Sequence, residues 1–322
     1  MTRGGTFCKA KKHLSEQAQK AMYGVIRKIR QFDLSVECQL DLFDKIVVPV
    51  LLYGCEIWGY ENLDIIERVH LKFLKTIFNL KSSTPSYMIY GESGRFPLYI
   101  KVYSRMITYW RKLLYSENKI ANIVYRYFLT EYCKNVYKNP WIECIERILN
   151  MCGLPNVWKD QGYCVNIKWL SIKVNQVLKD QFIQKWSSDI DGSSKGQSYK
   201  LFKHTFGVEK YVFTLPVKLR KILMKFRTSN HRLPVETGRW YGIPLNERMC
   251  TYCNKGEIGD EFHFILQCPN FSQSRKKFID KCYYERPNVL KFSNLMSTQN
   301  IKMLKKLCIF ISHIFDTICC SS

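Results

Sequence analysis

The chain has 322 residues, 46% of them apolar, enough to bury a sizeable core and too many for a disordered composition. Lys and Arg number 50 against 27 Asp and Glu, a net charge of +23 that attracts phosphate backbones, although a solvated basic surface has the same composition. No run of 18 apolar residues is present and the N-terminal stretch is polar and basic, so no membrane span or secretion is expected, and the 14 cysteines read as reduced thiols of the nucleus or cytoplasm.

Helical periodicity dominates from the start. Leu14, Ala18, Ala21, Val25, Ile29 and Phe32 recur every three or four residues and predict one buried helix face. Residues 40–58 form a second apolar stretch in which Pro49 should kink a helix. Leu63, Ile66, Val69, Phe73, Ile77 and Leu80 mark a third helix, and the three fit a small bundle. Residues 81–96 read as a loop, followed by a helix opened by Pro97 and running through Leu114. Further helices are predicted over 120–132, 141–151 and 167–186, with a linker over 156–163 and an exposed turn over 189–196. The best strand signal is 210–215. Residues 216–228 predict a helix with Leu219, Ile222, Leu223 and Phe226 on one arc. Lys218, Lys221 and Lys225 line one flank of that arc, and Arg220 with Arg227 the other. Such a helix suits a phosphate backbone, and it equally suits an ordinary amphipathic helix whose lysines snorkel. A basic helix over 274–282 and an amphipathic one over 301–318 complete a mainly α chain.

Cys250, Cys253, His263 and Cys268 spell C-x2-C-x9-H-x4-C. A Cys-x2-Cys turn aims two sulfurs at one ion, and one imidazole with a third thiolate completes a tetrahedral set for structural Zn2+. Asn254, Lys255 and Gly256 suit a knuckle turn, the nine-residue loop has room for a short hairpin, and Phe262, Phe264, Ile265 and Leu266 supply apolar packing. A chance cluster in a Cys-rich chain is the alternative, and four protein ligands leave no open position for catalysis. Cys8, Cys38, Cys55, Cys133, Cys144, Cys152, Cys164, Cys282 and Cys308 read mostly as small core residues. No phosphate loop, nucleophile elbow or H-E-x-x-H helix is present, and Asp41 with Asp44 or Asp189 with Asp191 lack a supporting pattern, so no catalytic residue is assigned.

Three stretches resemble the C-terminal part of non-LTR (LINE-like) retrotransposon reverse transcriptase polyproteins. Residues 46–59 with 65–75 are similar to the thumb region, residues 226–240 to the stretch before the terminal zinc knuckle, and residues 250–268 to the knuckle itself. The resemblance implies a thumb-like bundle over 1–115, a helical connector over 116–229, a CCHC zinc-knuckle region over 230–285 and a C-terminal helix over 286–322. It implies nucleic acid, RNA or DNA, as partner, and association with a reverse transcriptase core. The palm that carries the family's paired aspartates is not matched, and no Asp-Asp dipeptide occurs, so the expected role is non-catalytic. The expected contacts are Lys218, Lys221, Lys225, Arg227, Arg232 and Arg239, with Asn230, His231 and Trp240 stacking on bases or supporting the module. His231 packed beside the metal and Trp240 in a core remain open. So do two other roles: a structural or protein-interaction remnant, and a piece that completes a reverse transcriptase in trans.

Overall fold

The computed structural model describes residues 6–115, 119–136, 138–163 and 165–320. Among them are eighteen α-helices, two π-helical turns and three short 3-10 turns, and no strand beyond one isolated bridge. The chain is mainly α, as the periodicity implies. No helix of the described residues is long and apolar enough to cross a membrane. The helices form two compact units, Met1–Phe73 with Phe96–Gln184, and Leu74–Arg95 with Lys185–Ser322. The divisions expected after 115, 229 and 285 all fall inside these units.

In the first unit the helix Cys8–Phe32 buries Ala18, Met22, Val25 and Ile26. The stripe is rotated from the expected one: Phe32 at the helix end is exposed, and Lys11 is buried with its ammonium 2.6 Å from Glu61. Asp33 stops the helix in the left-handed region, which Asp tolerates better than most residues. The Pro49 effect takes a specific form. A widened π-helical turn, Phe43–Val47, precedes the short helix Val48–Leu51 that contains Pro49. Pro49 has no amide proton to donate and its ring crowds the carbonyl four residues back, so the turn before it opens. Phe43 then stacks on Phe73 with ring centroids 4.4 Å apart. The helix Leu98–Leu114 approaches Cys55–Trp58 closely at Gly59, where a Cβ would lie 2.3 Å from Val102. Residues 156–163 are not a linker: Pro155–Lys159 is helical and buries Val157 and Trp158.

In the second unit, the expected loop 81–96 contains a helix, Ser86–Ser93, in which Met88 through Ser93 are all buried. The strand expected over 210–215 is instead a single helical turn, Tyr211–Thr214. Its backbone bonds locally, Leu215 N–H donating to the Tyr211 carbonyl at 3.1 Å. The helix 167–186 extends to Asp191, and the basic helix 274–282 is two pieces, Ser272–Phe278 and Lys281–Tyr284, separated by extended backbone at Ile279. The helices Val217–Arg227 and Ile301–Cys320 pack together over much of their lengths.

The cysteines divide. Cys55, Cys144, Cys152 and Cys308 are core residues, whereas Cys8, Cys38, Cys133 and Cys282 are exposed. Cys164 lies outside the described residues.

Candidate metal centre and basic surface

The knuckle is built by local backbone bonds. Cys250 N–H donates to the Glu257 carbonyl and Gly259 N–H to the Arg248 carbonyl, both at 2.8 Å, with Met249 and Ile258 bridged antiparallel. That single bridge is all that remains of the expected hairpin. Gly256 turns the chain in the left-handed region, φ 63°, where Gly carries no Cβ penalty. Gly259 lies so close to Cys250 and Pro234 that a Cβ would meet Pro234 Cγ at 2.7 Å.

The second pair of ligands comes from a feature that spacing alone hides. Cys268 lies five positions after His263, which on an α-helix places them about 140° apart at about 100° per residue. Here His263–Gln267 is a π-helical turn, closed by Cys268 N–H donating to the His263 carbonyl at 2.7 Å. The widened turn brings residues i and i+5 onto one face. Asp260 holds its start, accepting from His263 N–H at 2.8 Å. Arg275 holds its end, donating to the carbonyls of Ile265, Phe264 and Cys268 at 2.7, 3.3 and 2.8 Å. Tyr252, Phe264 and Phe271 pack beside it with centroids 5.7–6.5 Å apart.

The four ligand atoms lie within 4.8 Å of one another. Cys250 Sγ and Cys268 Sγ are 4.0 Å apart, and Cys253 Sγ is 3.4 Å from His263 Nε2. A tetrahedron with metal–sulfur bonds of about 2.3 Å has sulfur–sulfur edges of about 3.8 Å, and a sulfur–nitrogen edge is a few tenths shorter. A disulfide, with sulfurs about 2.05 Å apart, does not match. The donor set therefore fits a metal ion. His263 Nδ1 lies 3.3 Å from Glu257 Oε2, which leaves Nε2 facing the sulfurs in the carboxylate–histidine arrangement common around bound metals.

The electrostatics agree. Burial lowers the pKa of His263, favouring the neutral ring that ligates, although Glu257 pulls the other way. Burial pushes the Cys250 thiol up to about 12 against a bond from the Tyr252 amide, and the neighbouring Cys268 and Cys253 add to the rise. Burial also raises Cys268. Cys250 and Cys268, buried side by side, hold their protons unless a cation stands between them.

No protein-family model, curated protein or solved structure matches the chain.

The structure sorts the expected nucleic-acid contacts by burial. Lys218 and Arg232 are exposed, Lys221, Lys225 and Arg239 half-buried, and Trp240 keeps 48% of its surface, so it is not a core residue. Arg227 is corrected: it is 1% exposed and lies on no solvent flank. Its guanidinium grips Glu92 through Nε at 3.2 and 3.0 Å and Nη2 at 3.0 Å, donates through Nη1 to the Met296 carbonyl at 2.7 Å, and sits over the Phe202 ring at 4.5 Å. Arg220 is buried as well, donating to the Val212 carbonyl at 3.2 Å. Asn230 is likewise internal, with Thr84 Oγ1 donating to its side-chain oxygen at 2.8 Å. His231 is buried against Glu261, 2.8 Å from Oε1. Glu261 also accepts from Ser198 at 2.8 Å and Ser229 at 3.0 Å, so this carboxylate, two residues before a ligand, anchors the knuckle to its unit. Glu261, Glu257 and Arg275 hold the knuckle and Glu92 holds Arg227; Glu257, Arg275 and Glu92 stand in no motif of the sequence. For Glu261, its place in the Glu-Phe-His run was the available signal.

Proposed function

We propose that this chain is a non-catalytic, nucleic-acid-binding part of a non-LTR retrotransposon reverse transcriptase, stabilised by one Zn2+ on Cys250, Cys253, His263 and Cys268. The observation that carries the reading is the convergence of three sulfurs and one imidazole nitrogen within 4.8 Å inside a chain of net charge +23. Thiolate and imidazole donors in a tetrahedral set favour zinc over harder cations, and four protein ligands make the ion structural. The cations left at the surface, Lys218, Lys221, Lys225, Arg232 and Arg239, would follow a phosphate backbone. The test is titration of a fluorescent single-stranded RNA and a DNA of the same sequence across a salt series. Binding whose log affinity falls linearly with log salt, and weakens when Lys218, Lys221 and Lys225 are changed to Ala together, supports the reading. Absence of binding at moderate salt removes it and leaves a structural or interaction role.

A second reading, a piece that completes a reverse transcriptase in trans, has one observation in its favour. Tyr23, Phe32, Ile46, Tyr53 and Ile57 are exposed apolar residues in the first sixty. Co-purification with a separately expressed palm, abolished when Tyr53 and Ile57 become Ser, would favour it.

A further inference from the structure

One turn of the second unit gathers cations that the chain's own carboxylates do not neutralise. Lys75 donates to the carbonyl of Ser82 at 2.5 Å, and Lys195 to the next carbonyl, that of Ser83, at 3.4 Å. Lys81, which begins the same turn, places its ammonium 5.0 Å from the centroid of the Trp240 ring. Arg239 lies next to Trp240 in sequence, with Nε 3.1 Å from Glu236. Two carboxylates are in the neighbourhood. Glu236 is 2% exposed and already holds Arg239 and the Gly196 amide, and Asp189 is exposed. Arg239 is thus paired with Glu236, and Lys75, Lys81 and Lys195 have no carboxylate within ion-pair distance among the described residues.

Lys195 is the informative member. It is 9% exposed, yet no carboxylate lies within ion-pair distance of its ammonium among the described residues. Burial lowers its pKa, Glu236 opposes, and Arg239, Lys81 and Lys75 lower it further. A largely buried ammonium among three more cations is destabilised until an anion arrives. Beside Lys81 stands the Trp240 ring, 48% exposed, and Tyr241, the next residue in the chain, is 81% exposed; both are large apolar surfaces that a fold normally covers.

We propose that Lys75, Lys81, Lys195 and Arg239 seat a phosphate of a single-stranded nucleic acid while Trp240 and Tyr241 stack its adjoining bases. Phosphate next to base is the one repeating unit that matches a cation cluster bordered by aromatic faces, and stacking with backbone tracking is how single strands are held. Carbonyls of Ser82 and Ser83 fix two of the ammonium groups in place, so the anion meets them already oriented. A duplex hides its bases and would leave both rings unused. The site rests on the nucleic-acid reading above and specifies where a strand lies.

The test uses the full chain with a twelve-nucleotide single-stranded RNA, an abasic oligonucleotide of equal length and a polyglutamate of similar charge. Lys81→Glu and Trp240→Ala lie at the surface, so circular dichroism should report an unchanged fold. Lys81→Glu is expected to weaken RNA binding about tenfold or more and to reduce the salt slope by about 0.7 for each phosphate no longer neutralised. Trp240→Ala is expected to weaken the RNA several-fold to over a hundredfold, and the abasic strand hardly at all. Equal weakening for RNA and abasic strand would overturn the stacking assignment. Binding of polyglutamate as tight as RNA, with the same sensitivity to Lys81→Glu, would overturn it in favour of an acidic peptide. Undiminished RNA binding in both variants would place the strand elsewhere and leave the nucleic-acid function standing. No binding by the unaltered chain would remove the function itself.

Discussion

Replacing Arg227 with Met should unfold the second unit far more readily while leaving the proposed nucleic-acid contacts at the surface alone. The guanidinium is enclosed between Glu92, the Met296 carbonyl and the Phe202 ring, and Glu92 is itself fully buried. Removing the cation leaves the carboxylate in a low-dielectric site supported by Tyr211 O–H and the more distant Lys203. Breaking such a pair from one side costs about 3–5 kcal/mol, part of it from the Met296 carbonyl, whose orphaning costs about 1–3 kcal/mol. Two compact units make a single two-state denaturation curve unsafe to interpret. Native-state hydrogen exchange of the Val217–Arg227 and Ser86–Ser93 amides is the better assay. Arg227→Met should lower their protection by a factor of about 150 or more, since 3 kcal/mol corresponds to that ratio. The double change Arg227→Met with Glu92→Gln should recover part of the protection, because the stranded charge goes as well. Lys225→Met on the same helix should leave protection nearly unchanged. Full protection in Arg227→Met, together with a reduced salt slope for RNA, would refute the burial argument and return Arg227 to the proposed nucleic-acid contacts.

Other outcomes follow from the same interactions. Glu257→Gln should weaken zinc affinity about tenfold in a competition titration with a chelator, because it removes the carboxylate that orients His263; an unchanged affinity would mean that this carboxylate, 3.3 Å from Nδ1, does no orienting. Metal loading should release protons and weaken as pH falls, since burial holds Cys250 up near 12 and also raises Cys268, so protons compete with the metal for these sulfurs. Proton release measured in two buffers of different ionisation enthalpy checks this, and release near zero at neutral pH would contradict it. Acid should destabilise the second unit. Burial alone would raise Glu92, but Arg227 and its hydrogen bonds outweigh it and hold the carboxyl below its ordinary value. A depressed folded-state pKa stabilises above the unfolded value of about 4.3, and that stability disappears as pH falls through the folded value. Protection of the Ser86–Ser93 amides should therefore fall below about pH 4 in the parent and stay nearly flat in Glu92→Gln.

The sequence was readable where the signal is local. Ala18 and Val25, or Ile66, Val69 and Phe73, alternate with polar residues and mark helices whose one face is buried. The four ligands were readable because a Cys-x2-Cys turn and a nearby His and Cys are short-range features. Ser86–Ser93 was not, because it is buried on every side and so carries no stripe, and its Gly91 and flanking Pro85 and Gly94 imitate a loop. Tyr211–Thr214 looked like a strand because aromatic and β-branched residues favour one, but strand propensity needs a neighbouring strand and none occurs among the described residues. Arg227 and Lys225 are indistinguishable as letters. Only the distant Glu92, 135 positions away, separates an interior cation from a surface one. The π-helical turn at His263–Gln267 was hidden for another reason: its cap, Arg275, is near in sequence, but no spacing of residue types marks an i to i+5 bond.

The most direct test is metal analysis of the chain purified without added metal, beside a Cys250→Ser/Cys253→Ser variant. The Cys3His geometry and donor chemistry predict one zinc per chain in the parent, less than about a tenth of that in the variant, and disappearance of the knuckle's amide protection with it. A parent free of zinc that also fails to take up one equivalent on titration would contradict the metal centre on which the functional reading stands.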